Sequence, residues 1–174
     1  MKRRLADMSA ADRVPIVERR FRELVRGLHA PRQPLGLDEP LRPGFRLTGR
    51  LALELFTSQL RSRQVDYCAR RLKARGDSFY TISSAGHEGS VAVAAALRID
   101  DPAVLHYRSG GFFFQRAGMA GLPRPAFDVL LGMCASADEP IAGGRHKVFG
   151  SVPLWIPPQT STIGSHLPKA VGMA

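Results

Sequence analysis

The sequence predicts an α/β fold in which a parallel sheet is flanked by helices and preceded by a helical N-terminal arm. Three observations predict it. Short apolar runs bounded by glycine alternate with helix-like stretches across residues 76–174. Polar residues stand at the ends of those runs, as in HYRSGG. Apolar residues recur at helical spacing near the N-terminus, ahead of a proline-rich break.

Residues 1–30 read as an amphipathic helix, with Val14, Val17, Phe21, Leu24, Val25 and Leu28 on one stripe. Residues 31–46, PRQPLGLDEPLRPGFR, read as an extended linker that closes a first segment, 1–46. Helix returns over 48–74, and Gly76 follows its basic end as a stop signal. SFYTISSAGHEGS reads as a β-like run and a turn, then a small-residue helix over 88–97 whose alanines permit close helix–sheet packing. AVLHYR reads as a buried strand. A helix over 126–137, a Gly-Gly loop and a terminal loop-helix, TSTIGSHLPKAVGMA, complete the second segment, 47–174.

The net charge of +10 resides in residues 1–75, which hold 18 Lys and Arg against eight Asp and Glu; the rest balance. No basic run exceeds three residues and aromatic interleaving is scarce. The excess therefore fits a solvated helix face, or contact with an acidic partner or partner subunit, better than nucleic acid. No apolar run reaches about 18 residues, and the basic start lacks an apolar signal core, so neither a membrane span nor secretion is expected. The two separated cysteines, Cys68 and Cys134, form no metal pair or disulfide framework, and a reduced cytoplasmic setting is expected.

Arg108 is the best candidate for binding an anion. It follows a predicted strand, precedes Ser109-Gly110-Gly111 and sits beside the Tyr107 phenol, and an arginine fork suits phosphate. The same pattern also fits a structural arginine paired with an acidic neighbour. Glu88 fits a first-turn helix acid, and His87 lacks an identified partner. Arg145, His146 and Lys147 lie in a glycine-flanked loop that could meet a phosphate or carboxylate, or simply face solvent. His106, His146 and His166 lack zinc-site spacing, so no protein metal cage is assigned. Ser161, Gly164 and Ser165 form a turn before a helix start, which suits either a polar heterocycle or an ordinary cap.

Taken in order, FYTISSAGHEGS, HYRSGGFFFQRAG, GGRHKVFG and TSTIGSHLPKAVGMA resemble the alpha subunit of the thiamine diphosphate-dependent 2-oxoacid dehydrogenases, the decarboxylating component of the branched-chain and pyruvate dehydrogenase complexes. The resemblance spans residues 47–174 and implies part of a thiamine diphosphate-binding fold. It implies that Tyr107 and Arg108 hold the cofactor diphosphate. It also implies that Ser161 and Ile163 meet the aminopyrimidine through backbone groups, Ile163 helping to keep the cofactor bent. His146 matches a loop histidine near the active site. Thr160, Ser165 and His166 fall where some members bind potassium, His166 replacing an oxygen ligand. The implied activity is oxidative decarboxylation of a 2-oxo acid with acyl transfer to a lipoyl group. The implied partners are a beta subunit or fused beta domain and a lipoyl acyltransferase, within a hetero-oligomer or homodimer. The family's magnesium motif, Gly-Asp-Gly, does not occur in the sequence. The expectation is therefore an N-terminal portion, with its magnesium ligands downstream and inactive alone. Two other expectations stand beside it: a non-catalytic interaction protein derived from the same fold, and, less well supported, a basic nucleic-acid-binding module.

Overall fold

Serine at position 9 starts the first helix. Its hydroxyl accepts the Asp12 N–H, and the Asp12 carboxylate accepts the Ser9 N–H, a reciprocal capping box. The computed structural model describes residues 8–29, 35–79 and 83–174. Helix α1, Ala10–Gly27, belongs to one compact unit, Met1–Glu39; the other unit is Pro40–Ala174.

In the second unit, α2 spans Gly49–Arg75. The Thr48 hydroxyl caps its start by accepting the Leu51 N–H at 3.2 Å. Gly76, at φ 81°, ends it, a left-handed conformation that glycine adopts without a Cβ penalty. Gly76 N–H donates to Lys73 O and Asp77 N–H to Leu72 O, the Schellman pattern. The buried face of α2 carries Ser58, Ser62, Val65, Asp66 and Ala69, and it packs on α3, Ser90–Ala96, and α4, Gly110–Met119.

Helix α4 is the centre of this unit. Eight consecutive residues, 110–117, are buried, because helices cover it on more than one side. Phe112, Phe113 and Phe114 join Val65, Ala94, Leu105, Leu154 and Ile156 in one core, each phenyl ring worth about 2–3 kcal/mol relative to exposure. Gly110 and Gly111 allow the close approach. A Cβ on Gly110 would sit 2.5 Å from Ser62 Oγ, and one on Gly111 3.0 Å from Glu88 O. Arg116 is fully buried, its guanidinium donating to the carbonyls of Asp101, Leu154 and Arg98 and lying over the Phe112 ring. Helix α5, Pro125–Met133, and α6, His166–Met173, complete the unit. No helix among the described residues is long and apolar enough to cross a membrane.

The expected α/β fold with a parallel sheet is not what forms. Among the described residues there is no sheet, only two isolated antiparallel bridges, Pro40 with Thr48 and Ser151 with Ile156. The AVLHYR run has no regular structure over 103–106 and turns at Tyr107 and Arg108; it buries Ala103 and Leu105 in alternation, which is the signal read as a strand. A strand needs a neighbour to share a ladder of hydrogen bonds. Here Ala103 N–H donates instead to Trp155 O at 2.9 Å, and His106 and Ser109 close a local turn. The run floors the helix α4 core as buried irregular chain, a role that periodicity alone does not distinguish from a strand. Of the β-like run read at the start of SFYTISSAGHEGS, residues 80–82 lie outside the described residues, and those on either side carry no strand. The alanines expected to pack α3 on a sheet pack it on α4, with Ala94 fully buried.

The turn facing Ala103 is tight. Ser151 and Ile156 exchange backbone hydrogen bonds around residues 152–155. Trp155 takes a positive φ of 52° there, flanked by the buried Leu154 and Ile156, while its own side chain is exposed.

Candidate functional site

The candidate site begins where α2 and the 83–84 turn meet. Asp66 is buried on α2. Its Oδ2 accepts the Ser83 hydroxyl at 2.6 Å and the Ser84 N–H at 2.9 Å. Burial pushes its carboxyl above the usual aspartate range, while the Ser83 and Ser84 bonds and the charges of Arg63 and Arg70 pull the other way. Ser84 in turn accepts the Gly110 N–H, and Ser90 accepts the Phe112 N–H, so the first N–H groups of α4 are committed within the protein.

Ser83 passes this order on. Its carbonyl accepts Arg108 Nη1 at 2.6 Å, which fixes the guanidinium beside the Tyr107 ring, 5.3 Å from ring centroid to Cζ. The arginine is therefore held by a backbone carbonyl. His106 lies against Tyr107 with the rings tilted by 38° and 3.6 Å between centroids, and its Nδ1 accepts the Arg108 N–H at 3.4 Å. Burial lowers the basicity of His106, and so do the nearby Arg108, His166 and His87.

A cavity of about 350 Å³ opens beside Tyr107. Phe113, Leu122, Val129, Met133 and Phe149 give it a mostly apolar wall, and Tyr107, Asp128, Glu139, His146, Lys147 and Ser151 are its polar lining residues. Lys147 Nζ lies 3.0 Å from Glu139 Oε1, and both side chains are largely buried. Burial works to raise the Glu139 carboxyl, but the Ala142 N–H, Lys147 and the Ile141 N–H outweigh it and hold it below the usual glutamate range. His146 Nε2 is 3.0 Å from Ser161 Oγ, a hydrogen bond whose direction depends on the tautomer. Gly164, at φ 81°, turns the chain into α6, and Thr160 Oγ1 donates to Ser165 Oγ.

Tyr107 and Arg108 are thus adjacent and ordered, Tyr107 and His146 line one cavity, and His146 bonds Ser161. Ile163 is 79% exposed and does not line that cavity. Glu88 lies before α3 rather than in its first turn. It pairs with Arg63 and accepts the Gly86 N–H. Asp66, Arg116 and Glu139 have structural roles that the sequence reading did not assign. For Asp66 a signal was present, since an acid stands on the same helix face as Ser62, Val65 and Ala69.

Tyr107, Arg108, His106 and His166 offer donors suited to a diphosphate. A magnesium ion is a different matter, because among the described residues no three carboxylate, imidazole or thiol groups converge to hold one. No family model matches the chain, and no curated protein matches it.

Proposed function

We propose that this chain contributes the diphosphate-gripping part of a thiamine diphosphate-dependent 2-oxoacid dehydrogenase, the decarboxylating component. The carrying observation is geometric: Arg108 Nη1 is anchored on Ser83 O, which sets the guanidinium beside the Tyr107 ring, with the His106 imidazole against the same ring. When bound, thiamine diphosphate supplies the electron sink for loss of carbon dioxide. The chain's own contribution is to grip and orient. Arg108 and Tyr107 hold phosphate oxygens, and Ser161, kept in place by His146, faces the heterocycle together with the backbone of Ile163. In this reading magnesium is bound through oxygen ligands beyond those of the described residues. A beta chain or domain completes the site, a lipoyl acyltransferase takes the acyl group, and the setting is cytoplasmic.

The test is calorimetric titration of the chain with inorganic pyrophosphate, thiamine diphosphate and thiamine. Binding of the first two with little binding of thiamine supports the reading, and Arg108→Ala should weaken pyrophosphate at least tenfold, about 1.4 kcal/mol. Equal affinity for thiamine and thiamine diphosphate, or an unchanged Arg108→Ala, would overturn it and leave the non-catalytic interaction protein as the better account.

A further inference from the structure

Helix α1 carries a stripe that the other described residues of its unit do not cover. Val17, Phe21, Leu24, Val25 and Leu28 are 47–67% exposed, and α1 is the one helix among the described residues of that unit. Solvated apolar side chains of this size, aligned along about 17 Å from Val17 to the C-cap Leu28, favour burial against a partner.

Their spacing says what kind of partner. Val14, Val17, Phe21, Leu24 and Leu28 follow one another at intervals of three, four, three and four, the seam of a left-handed coiled coil with Val14, Phe21 and Leu28 at a and Val17 and Leu24 at d. Arg13 and Arg20 then fall at g, and Glu18 and Val25 at e. Pro15 falls at b, away from the seam. In a parallel, in-register pair, each g residue faces the e residue five positions on in its neighbour. Arg13 therefore meets Glu18 of a second copy, twice by symmetry, and the Arg20 stem covers Val25. An antiparallel pair would set arginine against arginine and glutamate against glutamate. Within its own helix Glu18 already pairs with Arg22, and a carboxylate accepts from both sides.

We propose that α1 is a self-association element, pairing with the α1 of a second copy of this chain as a parallel, in-register, two-stranded coiled coil. The seam is little more than two heptads long, so the pairing is weak and concentration-dependent.

The experiment is sedimentation equilibrium on the full chain from roughly 10 μM to 1 mM, with circular dichroism to confirm that each variant keeps its helices. Leu24→Asp should abolish the dimer. Arg13→Glu should weaken it roughly tenfold, and it suits the helix N-terminus, so the helix itself survives. Adding Glu18→Arg to Arg13→Glu should restore the affinity to within about threefold. In a background with Cys68→Ser and Cys134→Ser, Val17→Cys should cross-link to dimer on mild oxidation, because d faces d in this register. A chain that stays monomeric throughout, a dimer indifferent to Leu24→Asp, or failure of the Val17→Cys variant to cross-link would each overturn the proposal. So would a monomeric chain that binds anionic phospholipid vesicles through Leu24, since that makes a membrane surface the occupant of the stripe.

Discussion

Replacing Asp66 with alanine removes the acceptor that holds the 83–84 turn under Arg108. The carboxylate is 6% exposed and takes two hydrogen bonds, from the Ser83 hydroxyl and the buried Ser84 N–H. A buried donor left without a partner costs about 1–3 kcal/mol, and losing the charge-assisted bond to Ser83 adds about 1 kcal/mol. Relief of the buried charge returns part of this, leaving a loss of about 2–3 kcal/mol from a stability ordinarily between about 5 and 15. Urea unfolding followed by circular dichroism at pH 7 measures it. Asp66→Asn keeps an oxygen acceptor and should stay within about 1 kcal/mol of wild type. The pH dependence supplies a second check. Burial makes Asp66 a weaker acid folded than unfolded, despite Ser83, Ser84 and the two arginines. The folded state therefore holds this proton more tightly. The resulting stability is fully present below about pH 4 and is lost as pH rises through the folded value. Wild type should lose ground to Asp66→Asn between about pH 4 and 7. A gap that widens in favour of wild type over that range, or an alanine variant costing under about 1 kcal/mol, would refute the reasoning.

Gly110→Ala should destabilise by about 2 kcal/mol despite alanine's better helix propensity, because its Cβ would lie 2.5 Å from Ser62 Oγ and 2.6 Å from Ser84 Oγ. Adding Ser62→Ala should recover part of that loss in the same unfolding assay. Lys147→Met should cost about 3 kcal/mol at pH 7 by leaving the Glu139 carboxylate buried without its cation. Glu139 is a stronger acid folded than unfolded, so its contribution is present above about pH 4.3 and disappears as pH falls through the folded value. The deficit of the methionine variant should therefore shrink in acid. Pyrophosphate affinity should rise as pH falls below about 6.5, the ordinary imidazole value, because burial and Arg108 make His106 a weaker base than usual, and His106→Asn should flatten that rise. An affinity independent of pH would remove the histidines from the anion site.

Helix α2 was legible because its ends carry local chemistry: Thr48 and Gly76 bound it through hydrogen bonds with residues close in sequence. The central helix α4 was not, because it opens on Gly110 and Gly111 without a side-chain cap and so reads as a loop. The sheet was misread because Ala103 and Leu105 announce burial and extension, and neither property specifies where the backbone hydrogen bonds go. That was decided by Trp155, some fifty residues away. Tyr107 and Arg108 were legible as a pair, since chain neighbours on a turn stay together in any fold. The Ser83 carbonyl that aims Arg108, and the Asp66 carboxylate that steadies Ser83, were not, because both contacts cross between segments. Arg116 carries no local signal of its role. Its burial follows from the three carbonyls of Arg98, Asp101 and Leu154 that converge on it.

Trp155 is the chain's single tryptophan. Its indole projects from the tight 152–155 turn, while its carbonyl anchors Ala103 and the residues on either side are core. It also shares a shallow apolar groove with Ile141, Pro157 and Met173 of α6. The protein thus contains a built-in fluorophore wired to three places at once: the AVLHYR floor, the core strand-like turn and the far end of the helix that follows the Ser161 loop. Its emission and collisional quenching offer a label-free record of whether α6 stays seated when an anion arrives at the other end of that helix.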